Sequence, residues 1–166
     1  MIRIVTGCDA EIGQWIGERL GSYLGAGAAL GFAENGKLLA GIHYTLLGRP
    51  WASCEMTIYA GSSRWATRRS LQAAFSYPFL QAGSKRCGAT IAIQNRHARE
   101  FVERLGFRQE GIGREAWLSG DVAIYGMLRA ECRWLRGQGL SADLIDVVCP
   151  PLLPASELAV EPAKAA

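Results

Sequence analysis

Glu55 is the one charged residue in the run Cys54 to Ala60, CEMTIYA. Burial of a carboxylate in an apolar strand moves its pKa up toward neutrality, where it can act as a general base. The alternative is an ordinary strand-end carboxylate facing water. A second stretch with chemical potential, Ser63 to Ser70, reads SRWATRRS. It joins that strand to the start of a helix and carries Arg64, Arg68 and Arg69. Helix N-termini expose unpaired N–H groups and a partial positive charge, so such a junction suits a phosphate. The alternative is a basic helix start with no ligand. Trp65 within it either stacks on a planar ligand or packs against its own domain. Asn95 opens a later helix and, taken alone, is an N-cap. Tyr125, in the final strand, is a candidate acid or pocket wall, or else a core tyrosine. His43 and Glu34 are weaker candidates.

Other chemistries lack their residues. Two histidines, His43 and His97, are too few for an ordinary His-based metal site, and no CxxC pair exists, so no metal is expected. The five cysteines are odd in number and widely spaced, which suggests no disulfide framework. Cys54 and Cys87 lie in apolar runs and read as buried small hydrophobes. No cysteine sits in a motif with His that would mark an activated nucleophile. Gly31-x4-Gly36-Lys37 imitates a P-loop, but Leu38 stands where a hydroxyl would bind magnesium. Gly111-x-Gly113-x-x-Ala116 imitates a dinucleotide fingerprint, but no helix follows it.

The elements that position these residues follow from periodicity and turn residues. Ile2 to Val5 reads as a strand. Asp9 is a candidate N-cap for a helix from about Ala10 to Leu20, ended by the glycine-rich Gly21 to Gly27. Ala28 to Ala33 and Lys37 to Leu47 are strands joined at Asn35-Gly36, a favoured two-residue hairpin turn. Cys54 to Ala60 is a strand. A helix starts at Thr67 or Ser70 and reaches about Ala82, with Pro78 expected to disturb its last turn. Arg86 to Ile93 is a strand, Asn95 to Leu105 a helix stopped by Gly106, and two strands follow, the second from Val122 to Leu128. The order predicts a mixed α/β sheet with helices on both faces. Residues 1–149 are expected to form one domain. Leu144 to Val148 is apolar enough to pack on it, and 150–166 is a Pro/Ala-rich tail.

Composition sets outer bounds. A chain of 166 residues suits one domain with a real core. No apolar run reaches the roughly 20 residues that span a bilayer, and Met1 to Val5 lacks a signal peptide's apolar stretch. A cytoplasmic location and no membrane partner are therefore expected. Charge is uneven: residues 62–114 hold ten basic and three acidic side chains, within a chain of net charge +3. A basic middle suits an anionic ligand such as a nucleotide cofactor, with nucleic acid a less favoured partner.

The string Asn95 to Leu128, NRHAREFVERLGFRQEGIGREAWLSGDVAIYGML, resembles the C-terminal half of the GNAT superfamily of N-acetyltransferases, in particular the branch of the ribosomal-protein N-terminal acetyltransferases. An Asn opening a helix and a following "GF-x-x-EG" carry the likeness, which in outline covers Ala28 to Leu135. It implies a single GNAT-like domain with a mixed, mostly antiparallel central sheet flanked by helices on both faces. It also implies acetyl-CoA as acyl donor and a primary amine as acceptor, joined by direct attack without an acyl-enzyme. Glu55 would be the base and Tyr125 a substitute acid. The far end of the Glu55 strand, Ile58, Tyr59 and Ala60, would pair with the cofactor. The pyrophosphate would lie on Arg64, Trp65, Ala66, Thr67, Arg68, Arg69 and Ser70, and the pantetheine arm on Asn95, Ala98 and Val102. There are departures. The family's Q/R-x-x-G-x-G/A loop reads here with Ser63 at its start, Ala66 at the first glycine and Arg68 at the last small residue. Val102 stands where a Tyr often protonates the leaving thiolate, and Ala98 where the branch often has Ser. The competing reading is a non-catalytic domain that keeps the fold to bind a protein or nucleic-acid partner.

Overall fold

The computed structural model describes residues 1–47 and 52–135. The expectations for Leu144 to Val148 and for the 150–166 tail lie outside the described residues. The elements run β1 (Arg3–Val5), α1 (Asp9–Leu20), β2 (Ala28–Glu34), β3 (Lys37–Leu47), β4 (Ser53–Ala60), α2 (Arg68–Ser76), β5 (Arg86–Ala92), α3 (Arg96–Leu105), β6 (Arg108–Trp117) and β7 (Gly120–Leu128). Short 3₁₀ turns cover Ser63–Trp65, Arg129–Glu131 and Arg133–Leu135. The strands form one seven-stranded sheet in the order β1-β2-β3-β4-β5-β7-β6, in which only β4 and β5 are parallel. This is the mixed, mostly antiparallel α/β domain expected from the sequence.

Local chemistry explains most boundaries. Asn35 and Gly36 both have positive φ, 52° and 75°, as a two-residue hairpin turn requires. Thr67 caps α2, its hydroxyl accepting from the Ser70 amide at 3.2 Å. Pro78 cannot donate to the ladder, and the α-helix gives way to a π-turn over Tyr77–Gln81. Asp9 corrects one expectation: Cys8 is the N-cap of α1, and the Asp9 carboxylate instead accepts from the Ala29 amide at 2.6 Å. Cys54, Cys87 and Cys132 are buried and free, with Cys54 and Cys87 the buried small hydrophobes expected from their apolar runs.

Strand alternation divides the core between two faces. Leu30, Phe32, Ile42, Tyr44, Cys54, Met56, Cys87, Ala89, Ala123, Tyr125 and Met127 pack with Leu71, Phe75, Val102 and Leu105 of α2 and α3. On the other face, Ile12, Trp15 and Ile16 of α1 cover Ala29 and Ala33 of β2, with Tyr59 of β4 at the margin. The same face is left open further along the sheet, where Thr90, Ile124 and Leu128 are exposed. Among the described residues no helix is long and apolar enough to cross a membrane.

Candidate active site at the parting of two parallel strands

β4 and β5 pair only at Ser53 with Arg86, Cys54 with Cys87 and Glu55 with Gly88. Beyond Glu55 the two strands part: Met56 to Ala60 stay paired with β3, and Ala89 to Ala92 with β7. The backbone of Ile58, Tyr59 and Ala60 therefore has one ladder edge with no strand beside it. Helix α2 starts just after the carboxyl end of β4, and α3 just after that of β5. Ligands of open α/β sheets bind at such a mouth, outside the carboxyl ends of strands and beside helix N-termini. Neither helix carries an acidic residue in its first turn, so nothing there repels an anion.

Each residue expected at the mouth can be placed. Arg68 and Arg69 form the first turn of α2, with Arg68 exposed. Arg64 is exposed but is ion-paired with Glu34 at the end of β2, which also holds the Met1 amino group at 3.2 Å. Ala66 is half-buried against the core. Ser70 is buried, its hydroxyl 2.8 Å from that of Thr67. Trp65 is only 1% exposed and packs on Phe32 and Phe101, with ring centroids at 4.8 and 6.2 Å. Of the two readings left open for Trp65, packing against its own domain is the one its burial supports, and the indole is a core residue beside the parting. Asn95 is exposed and caps α3, accepting from the Ala98 amide at 3.1 Å. Ala98 and Val102 follow on the same side of α3 and pack against the core, with Val102 buried. Ile58 leans toward the core, and Tyr59 meets Trp15 edge-on at 5.3 Å.

Glu55 sits at the last rung before the parting, on the open face. Burial pushes its carboxyl above the ordinary value; Arg86 pulls it back by charge and by hydrogen bond, and Glu110 pushes it up again. Arg86 Nη1 lies 3.3 Å from Glu55 Oε1, and Nη2 lies 2.6 Å from Glu110 Oε2. Sequence reasoning missed both partners. Arg86 shares a strand face with Gly88, two residues on, which was a usable signal. Glu110 gave less, because it faces the site only through a bulge: Gln109 pairs with Tyr125 and Gly111 with Ile124, which leaves Glu110 as the extra residue.

Tyr125 is not brought to Glu55. It rises from β7 on the opposite face, one strand beyond β5 from the parting. It is fully buried; its hydroxyl accepts from Arg99 Nε at 3.1 Å and donates to Glu103 Oε1 at 2.8 Å. Burial raises its pKa, and Arg99 opposes that rise. His43 is buried under α1, where Cδ2 lies 3.4 Å from the position a Cβ on Gly13 would take, and burial lowers its pKa. Among the described residues no group of three His, Cys, Asp or Glu side chains is arranged to hold a metal.

No protein-family model matches this chain, and no curated protein matches it by sequence. Solved structures do match. The chain is similar to a spermidine/spermine N-acetyltransferase, SpeG, from Vibrio cholerae (14% identity, 78% of this chain and 96% of that one, TM-score 0.62). It is also similar to a ribosomal-protein-S5-alanine acetyltransferase from Vibrio fischeri (14% identity, 65% of this chain, TM-score 0.54). A third is RimJ from Mycobacterium smegmatis, solved with CoA-disulfide (18% identity, 70% of this chain, TM-score 0.54). The match spans 63% of the S5-alanine enzyme's length and 60% of RimJ's. With the parted parallel pair and the order of strands and helices, these similarities establish that the chain has the GNAT acetyltransferase fold.

Proposed function

We propose that the protein is an acetyl-CoA-dependent N-acetyltransferase that acts on a primary amine. The parting of β4 from β5 beyond Glu55 carries this reading, because it joins a free backbone edge, two helix N-termini and a partly buried carboxylate in one place. The residues present fit the donor. Ile58, Tyr59 and Ala60 offer unpaired backbone groups; the start of α2 offers the Arg68 N–H and the side-chain charge of Arg68 and Arg69 for phosphates; Asn95, Ala98 and Val102 line the α3 side. Acetyl-CoA supplies the thioester, whose C–S bond is exchanged for an amide bond while the sulfur leaves with a proton. Glu55 takes the proton from the attacking amine, directly or through water. No cysteine takes the acetyl group: Cys54 and Cys87 are fully buried on the opposite face, and the Cys87 thiol is pushed far up, first by its hydrogen bond with Cys54 and then by burial.

The acid that meets the leaving sulfur is not a side chain of α3 at Ala98 or Val102, and the Tyr125 hydroxyl is held between Arg99 and Glu103. Water fills that role in this reading, with Tyr125 acting as a support for α3. The acceptor class includes peptide N-termini and polyamines, the amines named for the similar enzymes. The test is Glu55→Gln assayed with acetyl-CoA against an alanine-terminated peptide and spermidine. kcat should fall about 10²-fold or more at neutral pH, with acetyl-CoA binding nearly unchanged. The loss should shrink as pH rises and more of the amine is neutral in solution. Wild-type kcat across the pH range would reject Glu55 as base, and acetyl label on a cysteine after incubation without amine would reject direct transfer.

A further inference from the structure

Two glycines lie side by side across the open face of the sheet. Gly88 of β5 is the register partner of Gly126 of β7, and Gly88 also pairs with Glu55 across the parallel ladder. A Cβ at Gly88 would overlap the Glu55 carboxylate, and a Cβ at Gly126 would overlap that of Glu110. The two carboxylates therefore lie flat in a strip that only glycine leaves empty. Arg86, two residues before Gly88 on the same face, spans the gap between them with its side chain about a quarter exposed. A third contact, from Nη2 to the Tyr125 carbonyl at 3.3 Å, fixes the plane of the guanidinium. One face thus carries three charged groups from three strands, with two negative charges sharing one positive charge.

We propose that Arg86 is a positioning residue for Glu55, and that Glu110 regulates it by competing for the same guanidinium. This rests on the reading of Glu55 as the base. The contacts are unequal, at 2.6 Å to Glu110 and 3.3 Å to Glu55. Glu110 takes the stronger charge-assisted bond. Glu55 is held in place but keeps most of its basicity, which is what proton removal from an amine needs. A guanidinium bound to Glu55 alone would hold it as a weak base, and with no guanidinium the carboxylate would be free to leave the strip. The other neighbours of Glu55 on this face are Thr45, its β3 partner, and His43 two residues from it on β3, an imidazole whose pKa burial lowers; β7 contributes Gly126, and Cys54 and Cys87 face the opposite way. The geometry needs Arg specifically, because its planar fork reaches two carboxylates at once and a lysine's point charge does not.

The Glu55 carboxyl resonance, assigned by its loss in Glu55→Gln, is titrated by ¹³C NMR in the wild type, Arg86→Gln, Arg86→Lys and Glu110→Gln. Removing Arg86 should move the Glu55 midpoint up by about one unit or more, as loss of an adjacent opposite charge does. Glu110→Gln should move it down, because the guanidinium then turns to Glu55. Arg86→Lys should fall between wild type and Arg86→Gln. The acidic limb of kcat/KM with spermidine or the alanine-terminated peptide should shift in the same order. A Glu55 midpoint unmoved in Glu110→Gln overturns the competition, a conclusion that stands even if Arg86→Gln fails to fold. A midpoint unmoved in both Arg86 variants overturns the clamp. Midpoints that move while the acidic limb stays fixed keep the clamp and remove Glu55 as base, so the two failures are distinguishable.

Discussion

At the scale of single residues, function turns on where one carboxylate lies. Gly88 offers a way to move it without changing it. Gly88→Ala introduces a methyl group where the Glu55 carboxylate rests. Gly88 lies in a strand and is not among the glycines with positive φ, so alanine fits the backbone, and the displaced atoms are the end of a flexible side chain. The fold should survive with little change in Tm, while kcat falls by up to about 10²-fold, the scale of a misplaced catalytic group. Thermal denaturation and steady-state kinetics on one preparation check both halves; an unchanged kcat would mean that the resting place of Glu55 is irrelevant to the chemistry. Glu55 was legible in the sequence because it is the one charge in an apolar strand. Its partnership with Arg86 and Glu110 was not, because that depends on the register of four strands and on the bulge at Glu110. At Trp65 the sequence leaves stacking and packing both open, and burial against Phe32 and Phe101 decides for packing.

At the scale of elements, the signals that held were local ones. The Asn35-Gly36 turn, the Thr67 cap, the break at Pro78 and the Asn95 cap each follow from a few adjacent residues. The Asp9 expectation failed because a tertiary partner, the Ala29 amide, took the carboxylate that would have capped α1. Asn95 now has two possible duties, capping α3 and touching the cofactor, and substitution separates them. Asn95→Ala should cost about 1 kcal/mol of stability as a lost cap, read from the midpoint of a urea titration. If Asn95 also touches the cofactor, calorimetry should show CoA affinity falling by more than roughly fivefold, the equivalent of that 1 kcal/mol. A stability loss with unchanged affinity would leave Asn95 as a cap alone. The exposure of the Asn95 side chain is compatible with ligand contact, whereas buried Val102 would meet a ligand only at the lip of the parting.

At the scale of the whole molecule, the α/β order was readable from periodicity, whereas a free far end of β4 was implied only by the family resemblance, because no residue pattern records where a parallel ladder stops. That parting defines a state a ligand can select. The free edge of β4, the start of α2 and the start of α3 come from separate stretches of sequence and meet only in the folded chain. A ligand that bridges them binds the native state and not the unfolded chain, so it must stabilise folding. Acetyl-CoA at a hundredfold excess over its Kd should add about 2.7 kcal/mol, seen as a rise of several degrees in Tm. The increment should shrink as salt is raised, since the phosphates would be held largely by exposed charge at Arg68. Arg68→Ala should lower the increment and flatten its salt dependence while leaving the Tm of the ligand-free protein nearly unchanged, because an exposed first-turn arginine contributes little to folding. A Tm indifferent to saturating acetyl-CoA would mean that the fold is kept without the cofactor and would favour the non-catalytic binding domain. A Tm increment of full size in Arg68→Ala at every salt concentration would move the phosphates away from the start of α2 while leaving acetyl-CoA binding itself intact.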